Sequence, residues 1–346
     1  MALSINQIGM YRLLLLNPEE GYLEYRKPFQ SFRTLNKEEV VNKKNIIKII
    51  DDDFKILFAL HPRMFHLFID NLSLIIIMDA YYKKQRRKFS FVLETSDIPP
   101  SWFDGDGPTY FTFFLKVLTD LEINYIFIRS RSIESNNKQV QSDEAYPNKD
   151  LILQINNYAL WNPQMMQEQQ LAVLSKLFKK YLPKDKTIIS NKTVYLSRSA
   201  VSNSANWVAN ARTEGEESLV DFFQNFGCEI VAAENFKTFE EQIEYFNSVK
   251  TLIGLTGSGL INMLMMQDEG NVIELYTPIG GNPFNPNTLT VTHELSLHSF
   301  YRDFSWVKGH THISIKNLYK SNGSDLVELL KNNEWINQFF KRVYHE

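Results

Sequence analysis

The residues best suited to chemistry form the stretch Gly254-Leu-Thr-Gly257-Ser258-Gly259-Leu260, set between the apolar runs Thr251–Gly254 and Leu260–Met266. Glycines between a strand and a helix let the backbone turn sharply. At the carboxyl end of a parallel sheet such a turn presents N–H groups to an anion. Gly257 and Gly259 suit close backbone approach to a pyrophosphate, Thr256 and Ser258 add hydroxyl donors, and Leu260 opens the helix. Spacing excludes better-known motifs: no Gly-Lys-Ser/Thr closes a Walker A loop, Asn262 stands where a dinucleotide fingerprint needs glycine, and Thr256 stands where a nucleophile elbow needs one. A tight turn with a purely structural role is the competing reading.

Glu274 ends the next apolar run, and its carboxylate is expected at the same crevice, accepting ribose or sugar hydroxyls. Ser197 and Arg198 follow the run Val194–Leu196; a guanidinium there matches a diphosphate in bidentate fashion, with Arg212 as a second cation. Solvated surface roles are the alternatives for these charges. In the first half, His66, Asp70 and Ser73 fall at i, i+4 and i+7 on one helix face, opposite Phe65, Phe68, Ile69, Leu72 and Ile76. His66 is therefore a candidate general base oriented by Asp70, with a structural or substrate-orienting histidine as the alternative. No metal is expected: Asp104-Gly-Asp106 follows a Pro-Pro turn, Asp51–Asp53 precedes a strand, and His310-Thr-His312 lacks partners at ligand spacing.

These residues need a scaffold, and 346 residues exceed the roughly 250–300 at which one core stops growing. Two domains are expected, 1–186 and 187–320, joined through the polar link Leu182–Asn191. In the first, strands Phe54–Leu60, Phe89–Leu93 and Ile123–Ile128 alternate with helices Met64–Lys84 and Thr109–Leu121; Ser132–Lys149 reads as a surface loop and Pro163–Tyr181 as a helix. In the second, strands Val194–Leu196, Glu229–Val231, Thr251–Gly254 and Val272–Leu275 alternate with helices Glu216–Phe226, Phe239–Val249 and Leu260–Met266. Thr238 and Glu241 form a capping box. Residues 321–346 form an amphipathic helix expected to pack back on the N-terminal domain.

With 37 basic against 40 acidic side chains, no global charge favours nucleic acid. Cys228, the single cysteine, is expected as a buried thiol. The first nine residues carry no Lys or Arg, and His66, Asp70 and Asn71 interrupt the apolar segment Met64–Met78, so neither a secretion signal nor a membrane span is expected, and the expected compartment is the cytoplasm. The basic run Lys83–Lys88 complements a helix end; its functional alternative is a patch for an anionic glycan or a membrane periphery.

Together these residues resemble glycosyltransferase family 61, which includes plant xylan xylosyl- and arabinosyltransferases, animal protein O-linked N-acetylglucosaminyltransferases and bacterial capsular-polysaccharide relatives. Tyr195-Leu196-Ser197-Arg198 looks like the family's YxSR strand end, and Arg212 with Glu216 and Leu219 its R…NE…L segment. Gly227–Val231 and Phe239–Ile243 resemble GFEIV…SFxEQI, Gly254–Met266 resembles GxHGAGLxNxxFM, and Val272–Leu275 matches VIEL. Phe65–Leu72 resembles YHxLIDxLP. The resemblance spans about Leu60 to Phe304, most strongly Val194 to Pro278.

It implies an α/β fold of the GT-B type, two facing Rossmann-like domains with parallel sheets, the first binding acceptor and the second nucleotide-sugar. It also implies inverting transfer from a UDP-linked sugar to a glycan or glycoconjugate, with no required cofactor or DxD-bound metal. Ser197, Arg198, Arg212, Thr256, Gly257, Ser258, Gly259, Leu260 and Glu274 are then the donor-binding set, and His66 and Asp70 the catalytic pair. Two departures stand out: Thr256 replaces the histidine of the turn, and Gly215 stands near the expected Asn. Threonine donates a hydrogen bond but carries no positive charge. A catalytically silent glycan- or nucleotide-binding relative, and another GT-B-type enzyme such as a sugar-nucleotide epimerase, remain the alternatives.

Overall fold

The computed structural model describes residues 14–16, 21–26, 31–35, 37–40, 46–49, 53–95, 98–129, 132–135, 139–140, 152–155, 158–160, 168–183, 191–198, 215–276, 301, 304–316, 323–332, 334 and 338. Contacts divide the chain into two compact units, Met1–Val173 and Leu174–Glu346.

In the first unit, β1 (Leu14–Leu16), β2 (Gly21–Arg26), β3 (Ser31–Leu35), β4 (Ile46–Ile49), β5 (Phe54–Ala59), β6 (Phe89–Glu94), β7 (Tyr125–Arg129), β8 (Ser132–Ser135), β9 (Gln139–Val140), β10 (Ile152–Ile155) and β11 (Tyr158–Leu160) form two sheets. The larger has the order β1-β11-β5-β6-β7-β8-β9, parallel from β11 to β7 and antiparallel outside that centre. Burial along β5 and β6 is nearly continuous, as it is for parallel strands covered on both faces. The smaller sheet, β3-β2-β10-β4, is parallel only between β10 and β4.

An all-parallel sheet is thus correct for the centre and wrong for the margins. Part of the expected loop 132–149 pairs as β8 and β9. Both strands are short and largely polar, Ser132-Ile-Glu-Ser135 and Gln139-Val140, so they carry no apolar alternation long enough to read.

Helix α1 (Met64–Lys84) is long and apolar enough to cross a membrane, yet 67% of its apolar window is buried inside the fold. It is a core helix here: Phe68 meets Phe113 of α2 (Thr109–Asp120) edge to face, and Tyr82 packs on Phe54 and Phe89. The division between units falls within α3 (Glu168–Lys180).

The second unit holds β12 (Lys192–Ser197), β13 (Glu229–Ala232), β14 (Val249–Leu255), β15 (Asn271–Tyr276) and β16 (Thr311–Lys316) in the order β13-β12-β14-β15-β16, every pair parallel. Four of these strands match the expected ones; β16 is additional. Alternation along the strands sends Tyr195, Ile253, Ile273, Leu275 and Ile315 to one face. There they pack on α4 (Glu216–Asn225) and α6 (Gly323–Lys331), through Phe223, Leu326 and Leu330. The expectation that the C-terminal helix returns to the first unit is therefore wrong for 323–331, because its apolar stripe is consumed by the core of the second.

Against the opposite face lies a 3-10 helix, Ser258–Met265, where Leu260–Met266 reads as an α-helix. It is buried all round, and Asn262 accepts a 2.6 Å hydrogen bond from Gln242 of α5 (Phe239–Asn247). Helix α5 begins at the expected box: the Glu241 N–H donates to Thr238 Oγ1 at 3.1 Å. The Glu241 carboxylate reaches back to the N–H of Lys237, one residue before the cap.

Candidate functional site

The glycine turn leaves β14 at the carboxyl end of the second sheet. Its form is set by packing. A Cβ on Gly259 would lie 2.8 Å from Leu196 Cδ2, and one on Gly254 3.2 Å from Leu260 Cδ2, so these glycines let the 3-10 helix settle on β12 and β14. The turn is anchored on three sides: the Thr256 N–H donates to the Leu275 carbonyl at 2.9 Å, the Tyr301 hydroxyl to the Gly257 carbonyl at 2.6 Å, and Asn262 Nδ2 to the Gly259 carbonyl at 2.8 Å. Among the described residues no acceptor meets the N–H groups of Gly257, Ser258 and Gly259, the free donors that begin a helix.

On the neighbouring strand Leu196 pairs with Gly254, so Arg198 and Thr256 each follow that pair by two residues at the carboxyl end of the sheet. Its backbone N–H donates to Glu216 Oε1 at 2.7 Å, and the Tyr195 hydroxyl donates to the same oxygen at 3.2 Å. Glu216 thus fixes the strand end. Burial raises the Glu216 pKa, opposed by these hydrogen bonds, and burial lowers that of Arg198, opposed by Glu216 and Glu234. Nη1 of Arg198 is buried without an acceptor among the described residues. Ser197 is buried and donates its hydroxyl to Glu216, which commits it to the protein. Arg212 lies outside the described residues.

Glu274 is fully buried. Its Oε1 accepts from Thr256 Oγ1 at 2.8 Å, and its Oε2 lies 3.2 Å from His312 Nε2 on β16. The carboxylate expected to face sugar hydroxyls is thus turned to the protein. Sequence reasoning missed His312 because its link to Glu274 exists only through β15–β16 pairing, in which His312 stands opposite Val272. His310, two residues earlier, is structural: Nδ1 accepts from the Gly270 N–H at 2.9 Å and Nε2 faces the Met263 carbonyl at 3.0 Å. Burial lowers its pKa to about 4, which keeps the ring neutral.

In the first unit, α1 carries a π-helical insert, Leu67–Leu72, at the carboxyl end of β5. His66 Nδ1 lies 2.7 Å from Asp70 Oδ2, so that pair forms as spaced. Ser73 does not join it. The insert adds a residue to the turn and rotates the side chains beyond it, so Ser73 is buried, donating to the Ile69 carbonyl and accepting from Gln170 Nε2 at 3.1 Å. The missed neighbour is His61, whose ring centroid is 4.2 Å from that of His66. Asn71 Oδ1 accepts from the His61 N–H at 3.2 Å and Tyr110 holds the Pro62 carbonyl at 2.6 Å, fixing the loop.

At the possible metal motif, Asp104 and Asp106 are exposed around left-handed Gly105. Among the described residues no three His, Cys, Asp or Glu side chains are grouped to hold a metal.

No curated protein matches the sequence. The family model described as Glycosyltransferase 61 matches residues 64–273, more than half of the chain, from the start of α1 into β15. That span takes in His66, Asp70, Arg198 and the whole glycine turn, so the chain belongs to glycosyltransferase family 61 and is a glycosyltransferase, an enzyme that uses a donor sugar and a glycan acceptor.

Proposed function

We propose that the enzyme moves a sugar from a UDP-linked nucleotide-sugar to a glycan or glycoconjugate acceptor with inversion and without a metal or other cofactor. The second unit binds the donor and the first the acceptor, in the facing GT-B arrangement that the family resemblance implies. The observation that carries this is Arg198: a buried guanidinium nitrogen without a protein acceptor among the described residues, at the same carboxyl end of the sheet as a turn whose N–H groups are also free. Both are donors, and a diphosphate is the ligand that uses both.

In the reaction the acceptor hydroxyl oxygen bonds to the anomeric carbon while the bond from that carbon to the diphosphate oxygen breaks. The diphosphate departs with the electron pair, and Arg198 with the N–H groups of Gly257, Ser258 and Gly259 stabilises its charge. The hydroxyl proton passes to Nε2 of His66, since Nδ1 is engaged by Asp70. Glu274, wholly buried, supports the turn from behind.

Isothermal titration with UDP tests the donor site. Arg198→Ala and Ser258→Asp are each expected to weaken binding at least about a hundredfold. An aspartate at a helix start suits the fold while repelling an anion. Unchanged affinity in both variants overturns the site. A silent relative is the second reading, motivated by Thr256 in place of histidine; turnover that disappears in His66→Ala excludes it. We place the enzyme in the cytoplasm, with Lys84, Arg86 and Lys88 as the exposed cations for an anionic surface, since Arg87 stacks on Phe54 and Lys83 binds Asp79.

A further inference from the structure

Outside the residues matched by the family model lies a second histidine–carboxylate pair, His312 with Glu274. We propose that His312 is a positioning residue of the donor site, acting through Glu274 on Thr256 and the glycine turn. This rests on the donor site proposed above.

A carboxylate removed from water is strongly disfavoured unless hydrogen bonds or an opposite charge compensate it. Glu274 is 0% exposed; the Thr256 hydroxyl donates to its Oε1 at 2.8 Å, and His312 Nε2 lies 3.2 Å from its Oε2, close enough for an ion pair but without hydrogen-bond geometry. Thr256 supplies a neutral donor. Among the described residues, His312 is the neighbour of that oxygen that can carry a positive charge.

The position of this charge matters because Thr256 links Glu274 to the turn. Thr256 donates its hydroxyl to Glu274 and its backbone N–H to the carbonyl of Leu275, the next residue along β15. The free N–H groups of Gly257, Ser258 and Gly259 come directly after. A carboxylate behind those donors repels a diphosphate on them, and an imidazolium at His312 cancels that repulsion.

Three other ionisable groups of the surrounding described elements are engaged elsewhere. His310 is bonded to Gly270 and Met263, Lys308 pairs with Asp268 at 2.6 Å, and the Tyr301 hydroxyl binds Gly257. Among the described residues Glu274 is the ionisable group that His312 meets. His312 is therefore placed to hold Glu274, and through it Thr256 and the turn, in the arrangement that favours donor binding.

UDP titrated calorimetrically into the full chain tests this. The Kd of His312→Gln is expected to be about tenfold that of the wild type. In Glu274→Gln/His312→Gln the carboxylate is gone, so affinity returns to within about threefold of the wild type.

A His312→Gln variant that matches the wild type overturns the proposal, and so does weakening that Glu274→Gln fails to rescue, which marks a structural role. If His312→Gln does not fold, the double variant decides: affinity more than about tenfold weaker than the wild type overturns the proposal. Arg198→Ala separates the two levels. If it too leaves binding intact, the donor site fails; if it abolishes binding while His312→Gln changes nothing, only the role of His312 fails.

Discussion

Each unit carries a histidine–carboxylate pair, and the two pairs sit in opposite environments. His66 and Asp70 are four residues apart on one helix, 2.7 Å apart in space, with side chains 40% and 26% exposed. His312 and Glu274 come from adjacent strands, 3.2 Å apart, with side chains 10% and 0% exposed. Water screens the first pair, so it adds little to stability, and its histidine can exchange a proton with a bound hydroxyl. The second is withdrawn from solvent, where losing a partner is costly and a proton change alters the local field. On the roles proposed above, the same two kinds of side chain serve proton transfer where exposed and positioning where buried.

Substitutions on the two pairs can break this contrast. The largest effect is expected for His66→Ala: kcat falls about a thousandfold, some 4 kcal/mol of barrier, while the Kd for UDP is unchanged. Steady-state transfer assays with parallel calorimetry check it, and a change confined to Kd removes His66 from the chemistry.

Next comes Glu274→Ala, which strips both Thr256 and His312 of a buried partner and is expected to lower the unfolding free energy by about 4 kcal/mol. Urea denaturation measures it. A loss as small as that of an exposed pair would show that burial is not what distinguishes the two.

His310 gives a third, pH-dependent measure. Its folded pKa of about 4 lies below the ordinary histidine value of 6.5, so the unfolded chain binds the proton more tightly. Its stabilisation is complete above about pH 6.5 and is lost as pH falls toward 4, by about 3 kcal/mol. Denaturation midpoints across that range should decline in the wild type and less in His310→Gln. The smallest effect is Asp70→Ala, expected to cost about 0.5 kcal/mol of stability by the same assay. A loss several times larger would mean that Asp70 is structural.

Legibility in the sequence tracks the distance over which each signal acts. The parallel centre of the seven-stranded sheet, the strands β12 to β15, the capping box at Thr238 and the His66–Asp70 pair all depend on residues a few positions apart, within reach of period and spacing. The short, polar strands β8 and β9 leave no such trace. Nor does the π-helical insert, which takes Ser73 out of the polar face because an extra residue in a turn leaves the sequence pattern intact while rotating the side chains beyond it.

The sequence alone determined the family motifs and a glycine turn at a strand's carboxyl end, since glycine spacing and apolar runs are local properties. Only the tertiary structure decided that Tyr301 anchors the turn, that Arg198 Nη1 is left without an acceptor among the described residues, and that Glu274 faces Thr256 and His312. Those facts arise from strand pairing and burial, which join residues far apart in the chain and set the cost of each buried charge.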